Sequence, residues 1–163
     1  MTAKIANLTF RRFRESDLSD VWELVTETLE TSYAAVYPPQ VIEFFLDYHE
    51  QPKIIADAAS GLTIVVHRDG ALVATGTCVH TTARRVFVRA AFQRQGIGKA
   101  IMAELEADAT VRGVQRLDLS ASLPAKDFYL GLGYEIVSEE DYEVAPGQHL
   151  EYYKMAKQLF TNS

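Results

Sequence analysis

The sequence predicts an α/β protein (an α+β arrangement) built on one mixed, mostly antiparallel central sheet of about six to seven strands, with helices on both faces. Three observations carry that expectation. Two β-rich runs, Leu62 to His67 and Ala71 to Val79, flank Asp69-Gly70 and read as a hairpin. The apolar run ending at Val88 passes through a glycine-bearing turn into a helical pattern and then a further β-rich run, which is how a parallel strand pair is joined. Finally, two helical stripes come together before the hairpin rather than alternating with strands, so a wholly parallel sheet is excluded.

The elements follow in order. Leu8 to Phe13 alternates apolar and polar residues, as a half-buried first strand does. Ser16 is placed to cap a helix, and Leu18, Val21, Trp22, Val25 and Leu29 recur at helical spacing, with Trp22 expected in the core. Pro38-Pro39 opens a second helix at the position proline tolerates. It carries apolar residues on more than one side, has His49 near the end where a cation is favoured, and is expected to stop before Pro52. The stretch 53–60 is ambiguous, with a short helical turn at Ile54 to Ala59 as one reading. Gly76, inside the second hairpin strand, marks a bulge or a close backbone approach. A strand at 84–88, a helix at 96–111 stopped by Gly113, a strand at 116–121 and a short helix at 124–132 closed by Gly133 come next. Two last strands, 134–137 and 150–155, bracket a loop at Pro146-Gly147 that carries Glu139, Glu140, Asp141 and Glu143.

Length and composition bound the function. The 163 residues, 48% hydrophobic and 23% charged, suit one soluble globular domain spanning 1–163. No apolar run approaches the ~20 residues that cross a bilayer, and no signal-type apolar core precedes the first arginines, so no membrane role is expected. A net charge of −6 argues against nucleic-acid binding. The lone Cys78 excludes a disulfide framework and points to a reducing, cytoplasmic setting. No His or second Cys lies at metal-ligand spacing from it, so no metal is expected.

The stretch from Val86 to Met102 bears the chemistry. A helix start leaves about four backbone N–H groups unpaired and its dipole favours an anion there. Glycines at 96 and 98 let a phosphate approach those donors. Between Asp69 and Glu104 the chain has no acidic residue but carries Arg84, Arg85, Arg89, Arg94 and Lys99. Charge and glycines alone fit an Arg-rich exposed strand edge equally well. A Rossmann dinucleotide site is disfavoured, because no third glycine completes a Gly-x-Gly-x-x-Gly register.

Val88-x-x-x-x-Gln93-x-x-Gly96-x-Gly98 resembles the acetyl-CoA signature of the GNAT superfamily of N-acetyltransferases. A second block, Ser122-x-x-Ala125-x-x-Phe128-Tyr129-x-x-x-Gly133-Tyr134, is similar to the family's later motif. The resemblance implies the GNAT acyl-CoA N-acyltransferase fold and transfer of acetyl from acetyl-CoA to a primary amine of a small molecule or peptide. It implies that backbone N–H groups from Gln93, Arg94, Gln95, Gly96, Ile97, Gly98 and Lys99 cradle the CoA pyrophosphate. The backbone of Phe87 and Val88 would pair with the pantetheine arm as an added strand, between strands that splay apart. Ser122, which opens the second motif, joins the cofactor-binding set. Arg94 and Lys99 either reach phosphates or remain solvated. Tyr129 matches the family's usual general acid, which protonates the leaving thiolate; its plainer reading is an aromatic covering the sheet. A backbone N–H on the Phe87-Val88 strand would hold the oxyanion. A homodimer is common in the family.

Two positions depart from the pattern. Ala90 replaces a frequent Pro, and Thr82 stands where many members carry Glu as the base. A protonated amine needs a route for its proton, and His80, Glu151 or water are the candidates. The missing acid leaves a non-catalytic acyl-CoA-binding or sensing module as the alternative. The tyrosines of 31–48 and 139–153, with the acidic run 139–143, suggest a small cationic acceptor, unless those acids are simply solvated.

Overall fold

The computed structural model describes residues 7–160, so part of the segment in which a signal core was sought (residues 1–6) lies outside the described residues. Seven strands form one sheet: β1 (Leu8–Arg12), β2 (Leu62–Arg68), β3 (Ala71–Val79), β4 (Thr82–Val88), β5 (Arg116–Ser122), β6 (Glu135–Ala145) and β7 (Gln148–Gln158). Their spatial order is β1-β2-β3-β4-β5-β7-β6, and every neighbouring pair is antiparallel except β4 and β5. The crossover between those two is α4 (Ile97–Val111), the long helix the sequence predicts. The remaining helices are α1 (Leu18–Thr28), α2 (Pro39–Tyr48), α3 (Gln51–Ser60) and α5 (Lys126–Gly131).

Side-chain alternation divides the core between the two faces. On one, Ile97, Ile101, Met102 and Leu105 of α4 pack with Ile64, Val66, Leu117, Leu119 and Met155. On the other, Val21, Leu24 and Val25 of α1 and Ile54 of α3 meet Val65, Leu72 and Phe87, with Trp22 packed partly buried against them. Gly76 lies tightly against α4: a Cβ there would lie 2.4 Å from Ile101 Cγ2. The expectation of a tight approach or a bulge at this glycine is therefore met on both counts, since the β3–β4 register also slips opposite it.

Several local expectations are corrected. Asp17, not Ser16, organises the start of α1: its carboxylate accepts the Arg14 backbone N–H at 2.8 Å and both terminal guanidinium nitrogens of Arg11 at 2.7 and 2.8 Å. Residues 53–60 belong to a full helix, α3, because Pro52 sits in a first turn, where its missing N–H costs nothing, and starts a helix instead of only ending one. The acidic run 139–143 is not a loop but the middle of β6, which continues to Ala145 and turns at Pro146-Gly147, where Gly147 takes φ 74°.

Candidate active site

The site begins with a defect in β4. Ala83 pairs with Cys78 and Arg84 with Thr77, yet Phe87 pairs with Thr75, so one extra residue is accommodated in β4 opposite Gly76. Within this bulge Arg85 takes a left-handed backbone, with φ +57°. The bulge flips the strand's phase. Ala83, Val86 and Val88 face the α4 core, while Phe87 faces the α1 core. Arg84 and Arg85, though adjacent, both reach Asp57 on α3.

The strand then parts from its neighbour. β4 and β5 are paired only at Thr82 with Asp118 and Ala83 with Leu119, so beyond Ala83 the β4 edge facing β5 has no strand partner. A cleft of about 240 Å³ opens in this gap. Its walls include Thr82 to Phe87 from β4, Ser120 and Ser122 from β5, Tyr129 from α5, and the aromatic rings of Tyr33, Phe44, Phe45, Tyr48, Tyr142 and Tyr152. Among the described residues, no acidic side chain lines it.

At the far end of β4 the chain makes the turn expected to bind an anion. Arg94 (φ +64°) and Gly96 (φ +87°) are both left-handed, and Gly96 caps α4 with no side-chain cap. The first intrahelical bond runs from Ala100 N–H to Gly96 C=O at 3.0 Å, which leaves the N–H groups of Ile97, Gly98 and Lys99 without helical acceptors. Gly98 has a second reason to lack a side chain: a Cβ would stand 3.0 Å from Phe128 Cζ. Of the five cations in this segment, three are engaged elsewhere. Arg84 and Arg85 bind Asp57, and Arg89 binds Glu27 at 2.6 Å. Arg94 and Lys99 are exposed beside the turn. The Gln93 side chain folds back to donate to Val88 C=O at 2.9 Å.

Tyr129 is 7% exposed, lines the cleft, and packs against Phe128 and Tyr134 with ring centroids 5.0 and 5.8 Å away. Its hydroxyl has no hydrogen-bond partner among the described residues, and burial pushes its pKa well above the usual phenol value. Ser122 donates to the Tyr33 hydroxyl at 2.9 Å across the cleft wall. Tyr37 braces the same corner, accepting the Leu123 N–H and donating to Glu151 C=O, each at 2.9 and 2.8 Å respectively.

A model of the acetyltransferase (GNAT) domain matches residues 33–159. The chain belongs to the GNAT acetyltransferase family. Among solved structures, a GCN5-related N-acetyltransferase from Rhodopseudomonas palustris is similar at 19% identity and a TM-score of 0.83, over 94% of this chain and 96% of that one. The PaiA N-acetyltransferase of Thermoplasma acidophilum, solved in complex with coenzyme A, is 19% identical with a TM-score of 0.73, over 93% and 98% of the two chains. The ribosomal-protein-S18-alanine N-acetyltransferase of Escherichia coli is 18% identical with a TM-score of 0.71, over 96% of each. No curated protein sequence matches the chain. The GNAT fold is thus the observed one, mixed and mostly antiparallel with helices on both faces.

Within this GNAT chain, the expected residues fall in two groups. Phe87, Ser122 and Tyr129 converge on the cleft, while Gln93 to Lys99 form the turn that follows Val88, outside the cleft lining. The candidate bases do not line it either. His80 sits exposed at the β3–β4 turn with φ +55°, its carbonyl accepting from Arg112, and Glu151 is exposed on β7. Thr82 lines the cleft but donates its hydroxyl proton to Asp118 at 2.7 Å. The acidic residues of 139–143 also stand outside the lining, Asp141 and Glu143 lying against His149 instead. Among the described residues no cluster has metal-ligand composition, and no helix is long and apolar enough to cross a membrane.

Sequence reasoning missed His49 and Arg85. His49, expected as a helix-end cation, is 6% exposed and neutral: burial first, then the charges of Arg85, Lys53 and Arg84, lower its pKa to about 3. Its Nδ1 accepts the Arg85 Nε–H at 3.0 Å. The sequence held one signal for this arrangement, the glycine at 76 inside a strand, which marks a bulge or close approach.

Proposed function

We propose that this GNAT chain transfers the acetyl group of acetyl-CoA to a primary amine by direct attack in a ternary complex. The observation that carries the reading is the gap between β4 and β5, with an unpaired strand edge on one side and Tyr129 lining the same cleft. An extended pantetheine arm fits such an edge as an added strand. The N–H groups of Ile97, Gly98 and Lys99, at a helix start with no capping side chain, suit a pyrophosphate, and Arg94 and Lys99 supply exposed positive charge beside it. The left-handed turn at Arg94 and Gly96 is of the kind that gathers successive backbone N–H groups around an anion.

In the transfer, the amine nitrogen forms a bond to the acetyl carbon and the C–S bond breaks. A backbone N–H of the Phe87-Val88 segment stabilises the oxygen as it becomes negative. Tyr129, kept neutral by burial, gives its proton to the departing sulfur. The proton lost by the amine leaves through water, because His49, the histidine lining the cleft, is too weak a base. The test measures CoA release over a panel of amines for the wild type and Tyr129→Phe. A drop in kcat of about 10²-fold or more is expected for the variant; an unchanged rate removes the acid role.

One observation favours a second reading, a non-catalytic acyl-CoA-binding module. Thr82 occupies the place of the family's frequent Glu and is spent on Asp118. Calorimetry that finds tight acetyl-CoA binding with no turnover across amines supports the module. Absence of acetyl-CoA binding removes both readings.

A further inference from the structure

The cleft contains more positive charge than its own residues neutralise. Arg84 and Arg85 share a single carboxylate, Asp57, at 3.4 and 2.9 Å. The third member of the cluster, His49, is uncharged. Arg85 is 6% exposed, and its guanidinium uses Nε on His49 and Nη2 on Asp57. Its Nη1 is buried with no hydrogen-bond partner among the described residues, and so is Nε of Arg84. Both arginines line the cleft. A buried guanidinium N–H without an acceptor, in a cluster with surplus charge, is costly unless an anion completes it. The bulge at Arg85 is what puts two consecutive cations on one face of β4.

We propose that Arg85, assisted by Arg84, holds a carboxylate of the acceptor, and that the acceptor is an amino acid with an apolar or aromatic body. This rests on the acetyl-transfer reading above and replaces the cationic acceptor suggested by the acidic run 139–143. The rest of the wall supports the second half of the statement. Phe44, Phe45, Tyr48, Tyr142 and Tyr152 offer rings and no carboxylate to an acceptor's side chain. A planar guanidinium fork binds carboxylate in preference to other anions of similar charge because two parallel N–H groups match its two oxygens.

The inference is tested first without chemistry. Calorimetry measures 3-phenylpropionate and 3-phenylpropanamide, equal in shape and different in charge, against the protein saturated with CoA. The acid is expected to bind at least about ten-fold more tightly, as charge-assisted hydrogen bonds allow. Arg85→Gln is expected to bring acid and amide within about two-fold of each other, with Arg85→Lys intermediate; acetyl-CoA affinity confirms that each variant is folded. Equal affinities in the wild type, binding of neither compound, or a preference that survives Arg85→Gln overturns the proposal. The wild-type comparison decides alone if the variants do not fold. Initial rates then compare phenylalanine with phenethylamine, and the ratio of their kcat/KM values is expected to favour phenylalanine about ten-fold and to collapse in Arg85→Gln. Phenethylamine as the equal or better substrate also overturns the proposal. If 3-phenylpropionate binds in an Arg85-dependent way while no amine is acetylated, the carboxylate site stands and the acetyl-transfer reading fails.

Discussion

Replacing His49 with asparagine should remove much of the protein's sensitivity to mild acid. In the folded chain His49 stays neutral down to about pH 3, because burial and the neighbouring arginines oppose its protonation. In the unfolded chain the imidazole titrates near its ordinary ~6.5. A folded pKa below the unfolded one means that the unfolded state takes up the proton first. Stability is therefore full above about pH 6.5 and lost as pH falls from there toward 3. Worked from those two values, the loss from this one group between pH 7 and pH 5 is about 2 kcal/mol, rising to about 3 kcal/mol at pH 4. His49→Asn places a non-titrating oxygen near the position of Nδ1, where it still accepts from Arg85 Nε. It forfeits the ring's edge contacts with Tyr48 and Phe87, at centroid distances of 4.9 and 5.5 Å, so it starts less stable at pH 7. Urea unfolding followed by circular dichroism at pH 7, 6 and 5 gives both curves, and the carboxylates common to the two proteins cancel in their difference. The gap between wild type and variant should close by about 2 kcal/mol at pH 5. Parallel curves would show that His49 titrates normally in the fold and would refute the reasoning.

Other outcomes follow from the same structure. Because burial raises the Tyr129 pKa, the wild-type rate should show no fall near pH 10 from phenol ionisation; a pH–rate profile that bends at ~10 and straightens in Tyr129→Phe contradicts this. Gly96→Ala must hold an L-residue at φ +87° and should lose about 1–2 kcal/mol in urea unfolding, with Gly96→Asn losing less. Gly76→Ala drives a methyl to 2.4 Å from the fully buried Ile101 and should cost about 1–3 kcal/mol, read as a lowered Tm. Arg94→Ala and Lys99→Ala should each raise KM for acetyl-CoA and weaken its dependence on salt, while leaving the thermal midpoint without ligand near that of the wild type.

The parts of the fold visible in the sequence were those where pattern and turn chemistry agree. β2 and β3 around Asp69-Gly70, and β4 leading into α4, have strong β composition and glycine at the positions that need it. The glycine-bearing turn from Gln93 to Lys99, proposed above to hold a pyrophosphate, was legible for the same reason. α3 was obscured by Pro52, since proline marks a start as readily as a stop. β6 was read as a loop beyond Val137 because it is an edge strand exposed along most of its length, and an edge in water needs no apolar alternation. The carboxylate-facing arginines were hidden for a different reason. Strict alternation puts Arg84 and Arg85 on opposite faces, and only the inserted residue, unannounced by any glycine in β4 itself, brings them together.

The seam between β4 and β5 divides the backbone hydrogen bonding of the sheet into two blocks, β1 to β4 and β5-β7-β6. With two register pairs crossing it among the described residues, the blocks are held together largely by side chains. Among them are the α4 cluster, in which Ile101 and Leu105 meet Leu117, Leu119 and Met155, and on the other face the cluster of Val41 and Ile42 with Leu150. Such a joint has little directional stiffness, since dispersion and apolar burial constrain distance more than angle. Native-state hydrogen exchange should therefore resolve the blocks as separate opening units, with amides on the free edge of β4 exchanging faster than those of its β3-facing edge. A bound extended chain in the gap would supply the missing ladder and merge the two units into one; on the proposed reading, a molecule consumed in the reaction would also serve, while present, as a strand of the sheet.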